Sequence, residues 1–150
     1  MNEKTYNIGV EATMEIIGGK WKPVILCHLR NQPRRSSELL QRIPKISQKV
    51  LTAQLRELEN DGIINRKIYQ EIPPRVEYSL SEYGQSLNKI LNLLCLWGED
   101  NIDRRQTAGE SITVLHRDQI NPIESNKKRQ PTRLPFLLVM IFADQISRNK

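Results

Sequence analysis

The segment over residues 44–62 constrains the fold more than any other part of the chain. Leu51, Leu55 and Leu58 recur at intervals of four and three residues, which places them on one stripe of a helix. Ser47 is a favourable N-cap residue, and Gly62 is a typical helix stop. The opposite face would carry Lys49, Thr52, Ala53, Arg56 and Asn60. The pattern therefore predicts a helix with an apolar back that packs on a core and a polar, basic front.

Positive charge is concentrated on this predicted helix and on the segment before it. Residues 30–56 contain seven basic side chains and one acidic side chain, whereas residues 1–116 as a whole have a net charge of only +2. A focused positive field favours an anionic partner. The DNA major groove admits a helix, and Gln, Thr, Lys and Arg side chains reach base edges or phosphates there. The alternative for this helix alone is an ordinary amphipathic surface helix.

The surrounding segments predict a mainly α-helical domain with a small β-hairpin. Short helices with one apolar side are indicated over residues 10–17 and 36–43, and a nearly all-apolar helix that should lie in the core is indicated over residues 24–29. After Gly62, alternating side chains predict a strand, two prolines predict a hairpin tip, and residues 76–80 predict the return strand. Ser81 is then predicted to cap one continuous helix that ends near Asp100. A short helix, a turn and a basic helix followed by a hairpin form the order of a winged helix-turn-helix unit.

The last predicted helix is apolar on nearly every side over residues 91–97. A small domain can cover only one side of such a terminal helix, so the other side is expected to pack on a second copy of the chain. The first helix adds further apolar positions. We therefore predict a homodimer that forms through the terminal helices, with an interface that includes Val10, Met14, Ile17, Leu91, Leu94 and Trp97.

The chain divides into a predicted domain over residues 1–105 and a basic tail over residues 106–150. Residues 117–150 have a net charge of +4 and little periodicity, so the tail is expected to be largely disordered or weakly docked. Residues 127–129 could touch phosphate, and residues 134–146 predict one further helix. The longest apolar run has ten residues, too few to span a bilayer as a helix. The first ten residues are polar, so we expect a cytoplasmic protein with no membrane partner.

Several short motifs occur in a fixed order between residues 8 and 105. They include Val10-Glu11-Ala12-Thr13, Ile17-Gly18-Gly19-Lys20-Trp21-Lys22, residues 46–52, Asp61-Gly62, Pro73-Pro74-Arg75-Val76-Glu77-Tyr78 and Trp97-Gly98. In this order and spacing they resemble the HxlR-type family of bacterial winged helix-turn-helix transcription regulators. The resemblance implies a homodimer that binds operator DNA and regulates nearby genes. Members often respond to reactive electrophiles, oxidants or aldehydes.

The chain departs from this family pattern at three places. Relatives often place a sensing cysteine just before the first helix, where this chain has Ile8-Gly9. A bulky aromatic residue usually follows the arginine before the short helix, whereas Ser36 follows Arg35 here. The family domain ends soon after Trp97-Gly98, so the tail is atypical.

The predicted DNA contacts lie on the basic helix, on the residues before it and on the hairpin. Backbone N–H groups at the helix N-terminus favour phosphate. Lys49 and Arg56 could clamp phosphates or read guanine, and the sequence leaves both roles open. Arg75, at the hairpin tip, is predicted to enter the minor groove. The full predicted set is Lys20, Arg35, Ser47, Gln48, Lys49, Thr52, Arg56 and Arg75.

The two cysteines, Cys27 and Cys95, lie far apart in apolar segments. Each is expected to be an inert buried residue, so DNA binding should be insensitive to mild oxidants. A non-covalent small-molecule effector near the dimer interface is the other option. No nucleophile–base set, metal cluster or Gly-rich phosphate loop is recognisable, so neither an enzyme nor a cofactor is predicted. The alternative function is a winged-helix module that binds protein instead of DNA.

Overall fold

The computed structural model describes residues 3–116, which form six helices and one β-hairpin. In chain order the elements are α1 (Gly9–Ile17), α2 (Lys22–Leu29), α3 (Ser36–Arg42), α4 (Gln48–Asn60), β1 (Ile64–Tyr69), β2 (Arg75–Leu80), α5 (Glu82–Gln85) and α6 (Asn88–Thr107). The predicted mainly helical fold with a hairpin wing is confirmed. The predicted helix over residues 134–146 and the basic residues 127–129 lie outside the described residues. Within the described part, every helix is too short or too polar to cross a membrane.

Helix α4 begins and ends where its sequence indicates. Ser47 Oγ accepts a hydrogen bond from Val50 N at 3.2 Å, which satisfies one N–H group of the first turn. Gly62 adopts a φ of +71°, a left-handed conformation that favours glycine, and the chain then enters β1. The apolar stripe is buried as predicted: Leu51, Leu55 and Leu58 are each at most 2% exposed.

The core forms where α2, α3 and α4 pack together against the start of the hairpin. Its fully buried side chains are Ile25, Leu26, Leu29, Leu39, Leu51, Leu55, Leu58, Ile63, Ile64 and Leu91. Full burial of a side chain of this kind contributes roughly 1.5–3 kcal/mol. The apolar back of α4 is therefore held rigidly, and its polar side faces solvent.

The hairpin is attached to the helical body through Arg34. Strands β1 and β2 pair antiparallel from Ile64 opposite Leu80 to Tyr69 opposite Arg75. Arg34 adds an isolated bridge to β2, since Arg34 N donates to Tyr78 O at 2.9 Å and Tyr78 N donates to Arg34 O at 2.8 Å. The segment between α2 and α3 therefore pairs with β2 at a single residue, a contact that its sequence pattern did not predict.

The Arg34 side chain also anchors the segment before α3. Its Nε donates to His28 O at 2.6 Å, and the residue is buried. Burial lowers the pKa of the Arg34 guanidinium, and the nearby positive charge of Arg42 acts in the same direction. An arginine nevertheless remains charged in a protein.

The prediction of one continuous helix after Ser81 is wrong. Ser81 Oγ accepts from Gly84 N at 2.9 Å and caps α5, which ends at Gln85. Gly84 packs so tightly that a Cβ atom there would lie 2.0 Å from Ile63 O. This contact fixes α5 against the residue before β1, and a separate helix starts at Asn88. Helix α6 then extends past Asp100 to Thr107, across the predicted domain boundary at residue 105.

Candidate nucleic-acid interface

Helix α4 presents a continuous exposed surface of polar, basic and small side chains. We call this surface the α4 front, and it consists of Ser47, Gln48, Lys49, Thr52, Ala53 and Arg56, all of which are exposed. Thr52 Oγ1 donates to Gln48 O at 2.9 Å, so its methyl group is the part left for an outside contact. Among the described residues, the Ser47 side chain accepts only from Val50 N, and the N–H groups at the start of a helix are a favourable environment for an anion.

The other predicted basic contacts lie at the starts of neighbouring helices. Lys20 precedes α2, is exposed, and places its Nζ 4.6 Å from the centre of the Trp21 ring, a cation–π distance. Arg35 is exposed at the N-cap of α3, where its backbone N donates to Glu38 Oε2 at 2.7 Å. Both side chains remain accessible for a contact outside the protein.

Arg75 makes contacts within the hairpin that its sequence position did not predict. Its Nη2 lies 2.9 Å from Glu71 Oε1 and its Nη1 lies 3.2 Å from Glu77 Oε1. The guanidinium also stacks 3.9 Å from the centre of the Tyr69 ring. The side chain is therefore folded back on the hairpin and neutralised by two carboxylates, so a groove contact would require these ion pairs to open. Arg66 is a second arginine of the hairpin and is exposed on β1.

An ion pair that the sequence did not predict connects α2 to α4. Lys22 is only 8% exposed, and its Nζ lies 2.9 Å from Glu57 Oε2. Glu57 follows Arg56 directly, so without Lys22 its negative charge would oppose the field of the α4 front. The pair both fixes α4 against α2 and offsets this acidic group.

Apolar side chains remain exposed on both terminal helices. Val10, Met14, Leu94 and Trp97 are 54%, 53%, 51% and 71% exposed. Ile90 and Leu93 are also exposed, and they lie on the same helix as Leu94 and Trp97. We call the six the apolar terminal surface: Val10, Met14, Ile90, Leu93, Leu94 and Trp97.

Two residues of the predicted interface belong to the core instead. Ile17 is 3% exposed and Leu91 is 0% exposed, because each packs inside its own protomer. The sequence of a terminal helix shows an apolar stripe, but it does not show which of these apolar residues are buried within the same protomer.

A cleft of about 180 Å³ lies near these residues, lined by apolar Ile16, Ile63 and Leu87 with the polar side chains of Thr13 and Tyr83.

The two cysteines are neighbours. Cys27 Sγ on α2 lies 3.4 Å from Cys95 Sγ on α6, and both residues are partly buried. The expectation that each cysteine is buried is therefore wrong, and packing of α2 on α6 joins two positions that are far apart in sequence. Among the residues described, no three His, Cys, Asp or Glu side chains are grouped so as to hold a metal ion.

Comparison with known proteins places this architecture in a family. A family model described as HxlR-like helix-turn-helix matches residues 16–106. The chain therefore belongs to the HxlR-like helix-turn-helix family, and the resemblance inferred from its motifs is confirmed.

Two relatives illustrate the extent of the similarity. The HTH-type transcriptional regulator YtcD of Bacillus subtilis (strain 168) is 56% identical over 121 residues, which cover 81% of this chain and 94% of YtcD. The crystal structure of ytcD aligns with a TM-score of 0.61 and covers 64% of this chain and 98% of that one. The redox regulator HypR in its oxidized form is 45% identical, with a TM-score of 0.61, and covers 62% of this chain and 96% of that one.

Proposed function

We propose that the protein is a transcriptional regulator that binds a pseudo-palindromic DNA operator as a homodimer, with the α4 front in the major groove. The observation that carries the proposal is the arrangement of α4, whose apolar back is buried while Lys49, Thr52 and Arg56 are exposed on the opposite side. A helix held in this way can enter a groove without unfolding any part of the core.

The side chains of the α4 front suit both contacts to the phosphate backbone and contacts to the base edges. Lys49 and Arg56 are long and exposed, so each can bind phosphate or the O6 and N7 acceptors of guanine. The Thr52 methyl group and Ala53 are suited to contact the thymine methyl group. Lys20 and Arg35 would bind the phosphate backbone beside the groove and so fix the orientation of α4. Arg75 would join them only after release from Glu71 and Glu77.

The apolar terminal surface supports the homodimer. Its six large apolar side chains are exposed on α1 and α6, and exposed apolar patches on a protein surface often mark contact sites. A twofold axis through this surface would relate two copies of α4, and in the helix-turn-helix class such copies bind half-sites about 34 Å apart on one face of the duplex.

DNA binding is tested by measuring affinity for genomic fragments that the protein retains, at several salt concentrations. Arg56→Ala and Lys49→Ala should each weaken binding by about 1–3 kcal/mol if the side chain reads a base. If the side chain instead binds phosphate, its removal should weaken binding to all DNA sequences uniformly. The slope of log affinity against log salt concentration should then fall by about 1. Lys89→Ala is the matched control, because Lys89 is an exposed lysine outside the α4 front.

Two outcomes would contradict the proposal. The first is unchanged affinity for DNA in the Lys49→Ala/Arg56→Ala double variant. The second is binding that does not depend on salt concentration, which would favour the alternative of a winged-helix module that binds protein.

A further inference from the structure

The contact between the two thiols has no role in the proposed DNA binding. Cys27 and Cys95 project from neighbouring helices, and their sulfur atoms are 3.4 Å apart. A disulfide bond is about 2.05 Å long, so closure requires the sulfurs to approach by only about 1.4 Å. Neither cysteine occupies the position before α1 at which relatives often place a thiol, since that position is Ile8-Gly9 in this chain.

A second contact holds the two helices in register beside the thiols. Arg30 Nη1 donates to Asn92 Oδ1 at 2.5 Å. Arg30 follows Cys27 by one helical turn, and Asn92 precedes Cys95 by one helical turn, so the two contacts are adjacent on an antiparallel helix pair. Cys27 also packs against the buried core, which restricts movement of its side chain. The fold therefore keeps the two sulfurs facing each other.

We propose that Cys27 and Cys95 form a dithiol site that small disulfides oxidise to an internal disulfide between α2 and α6. Both residues are only partly buried, so a small reagent can reach the pair. The site involves neither the α4 front nor the hairpin, so its oxidation can be tested in the absence of DNA.

The reaction is a pair of thiol–disulfide exchanges. One cysteine thiolate attacks a sulfur of the small disulfide, the S–S bond of that reagent breaks, and one thiolate leaves and takes up a proton. The other cysteine then attacks the protein sulfur of the mixed disulfide and releases the second small thiol. The two cysteines lose two electrons and two protons, and the reagent gains both. Because the second thiol is already in contact, ring closure should outcompete attack by another reagent molecule.

Oxidised glutathione is the probe that tests this site on the full chain. We expect intact-protein mass spectrometry to show loss of two hydrogens, with no glutathione retained. Both thiols should become resistant to alkylation, and the protein should run as a monomer in non-reducing gels. Tryptic digestion should link the peptides over residues 21–30 and 90–104.

Matched variants and an unfolded control complete the experiment. Cys27→Ser and Cys95→Ser should each accumulate a single glutathione adduct, because the resolving thiol is missing. If either variant fails to fold, wild type unfolded in urea replaces it, and its fraction of internal disulfide should fall by at least about tenfold in the same glutathione buffer. Two glutathione adducts on folded wild type, disulfide-linked dimers in place of the internal bond, or an equal yield in urea would each overturn the proposal.

Discussion

Leu91 and Leu94 lie three residues apart on α6, yet the structure assigns them opposite roles. Leu91 is 0% exposed and packs in the core, whereas Leu94 is 51% exposed on the apolar terminal surface. Leu91→Ala removes three buried carbon atoms, a loss of about 2.4 kcal/mol in transfer free energy alone. The residual cavity adds to this loss, so we expect the free energy of unfolding to fall by about 2–5 kcal/mol.

Leu94→Ala should affect association and not the folding of the protomer. The side chain is already half in water, so truncation should change the unfolding free energy of an isolated protomer by about 0.5 kcal/mol or less. In a twofold dimer the same side chain is lost from both subunits, and the dissociation constant should rise by about tenfold or more.

Urea unfolding at two protein concentrations, combined with sedimentation equilibrium, separates the two effects. Dimer formation makes the unfolding midpoint depend on protein concentration, whereas damage to the core lowers the midpoint at every concentration. The reasoning is refuted if Leu91→Ala weakens association while costing less than about 1 kcal/mol of stability. Wild type that sediments as a folded monomer at micromolar concentration would contradict the dimer itself.

Three further predictions concern single local features. Gly62→Ala should destabilise the protein by about 1 kcal/mol, since φ is +71° there, while Gly98→Ala inside α6 should be neutral or stabilising in the same thermal melt. Ser47→Ala should cost about 1 kcal/mol through loss of the N-cap, and Ser47→Asp should restore most of it in urea titrations. Disulfide formation between Cys27 and Cys95 should raise the unfolding free energy by up to about 4 kcal/mol in non-reducing calorimetry, and an unchanged melting temperature would count against it.

The central helix of the fold could be predicted because its signals are local. The leucine stripe, the N-cap at Ser47 and the stop at Gly62 act within a few residues of one another, and each is confirmed. The hairpin could be predicted for the same reason, since alternation and proline placement are read from neighbouring positions. The α4 front could be predicted as well. Once the leucine stripe is buried, only the opposite side of the helix is left exposed to solvent.

The features that could not be predicted depend on contacts between distant segments. Helix α5 is held by the contact of Gly84 with the carbonyl of Ile63, which is distant in sequence, and the separate helix α6 follows it. Arg75 forms ion pairs with Glu71 and Glu77. The direction of its side chain therefore could not be predicted from its position near the hairpin tip. The burial of Leu91 depends on which face of α6 the protomer covers. Each of these three features depends on tertiary packing, which the local sequence pattern does not determine.

Helix α6 connects the core, the thiol site and the proposed dimer surface within a few residues. Leu91 fixes it in the core, Cys95 meets Cys27 of α2, and Leu94 and Trp97 project into solvent. Closure of the disulfide would move the sulfurs by about 1.4 Å, and close-packed helices transmit such shifts to their neighbours. Leu94 precedes Cys95 on α6, but adjacent helical residues project about 100° apart, so oxidation would reach the apolar terminal surface only through a shift of the helix itself. We therefore expect linkage: oxidation should change the dissociation constant of the homodimer, and dimer formation should change the equilibrium constant of disulfide formation by the same factor.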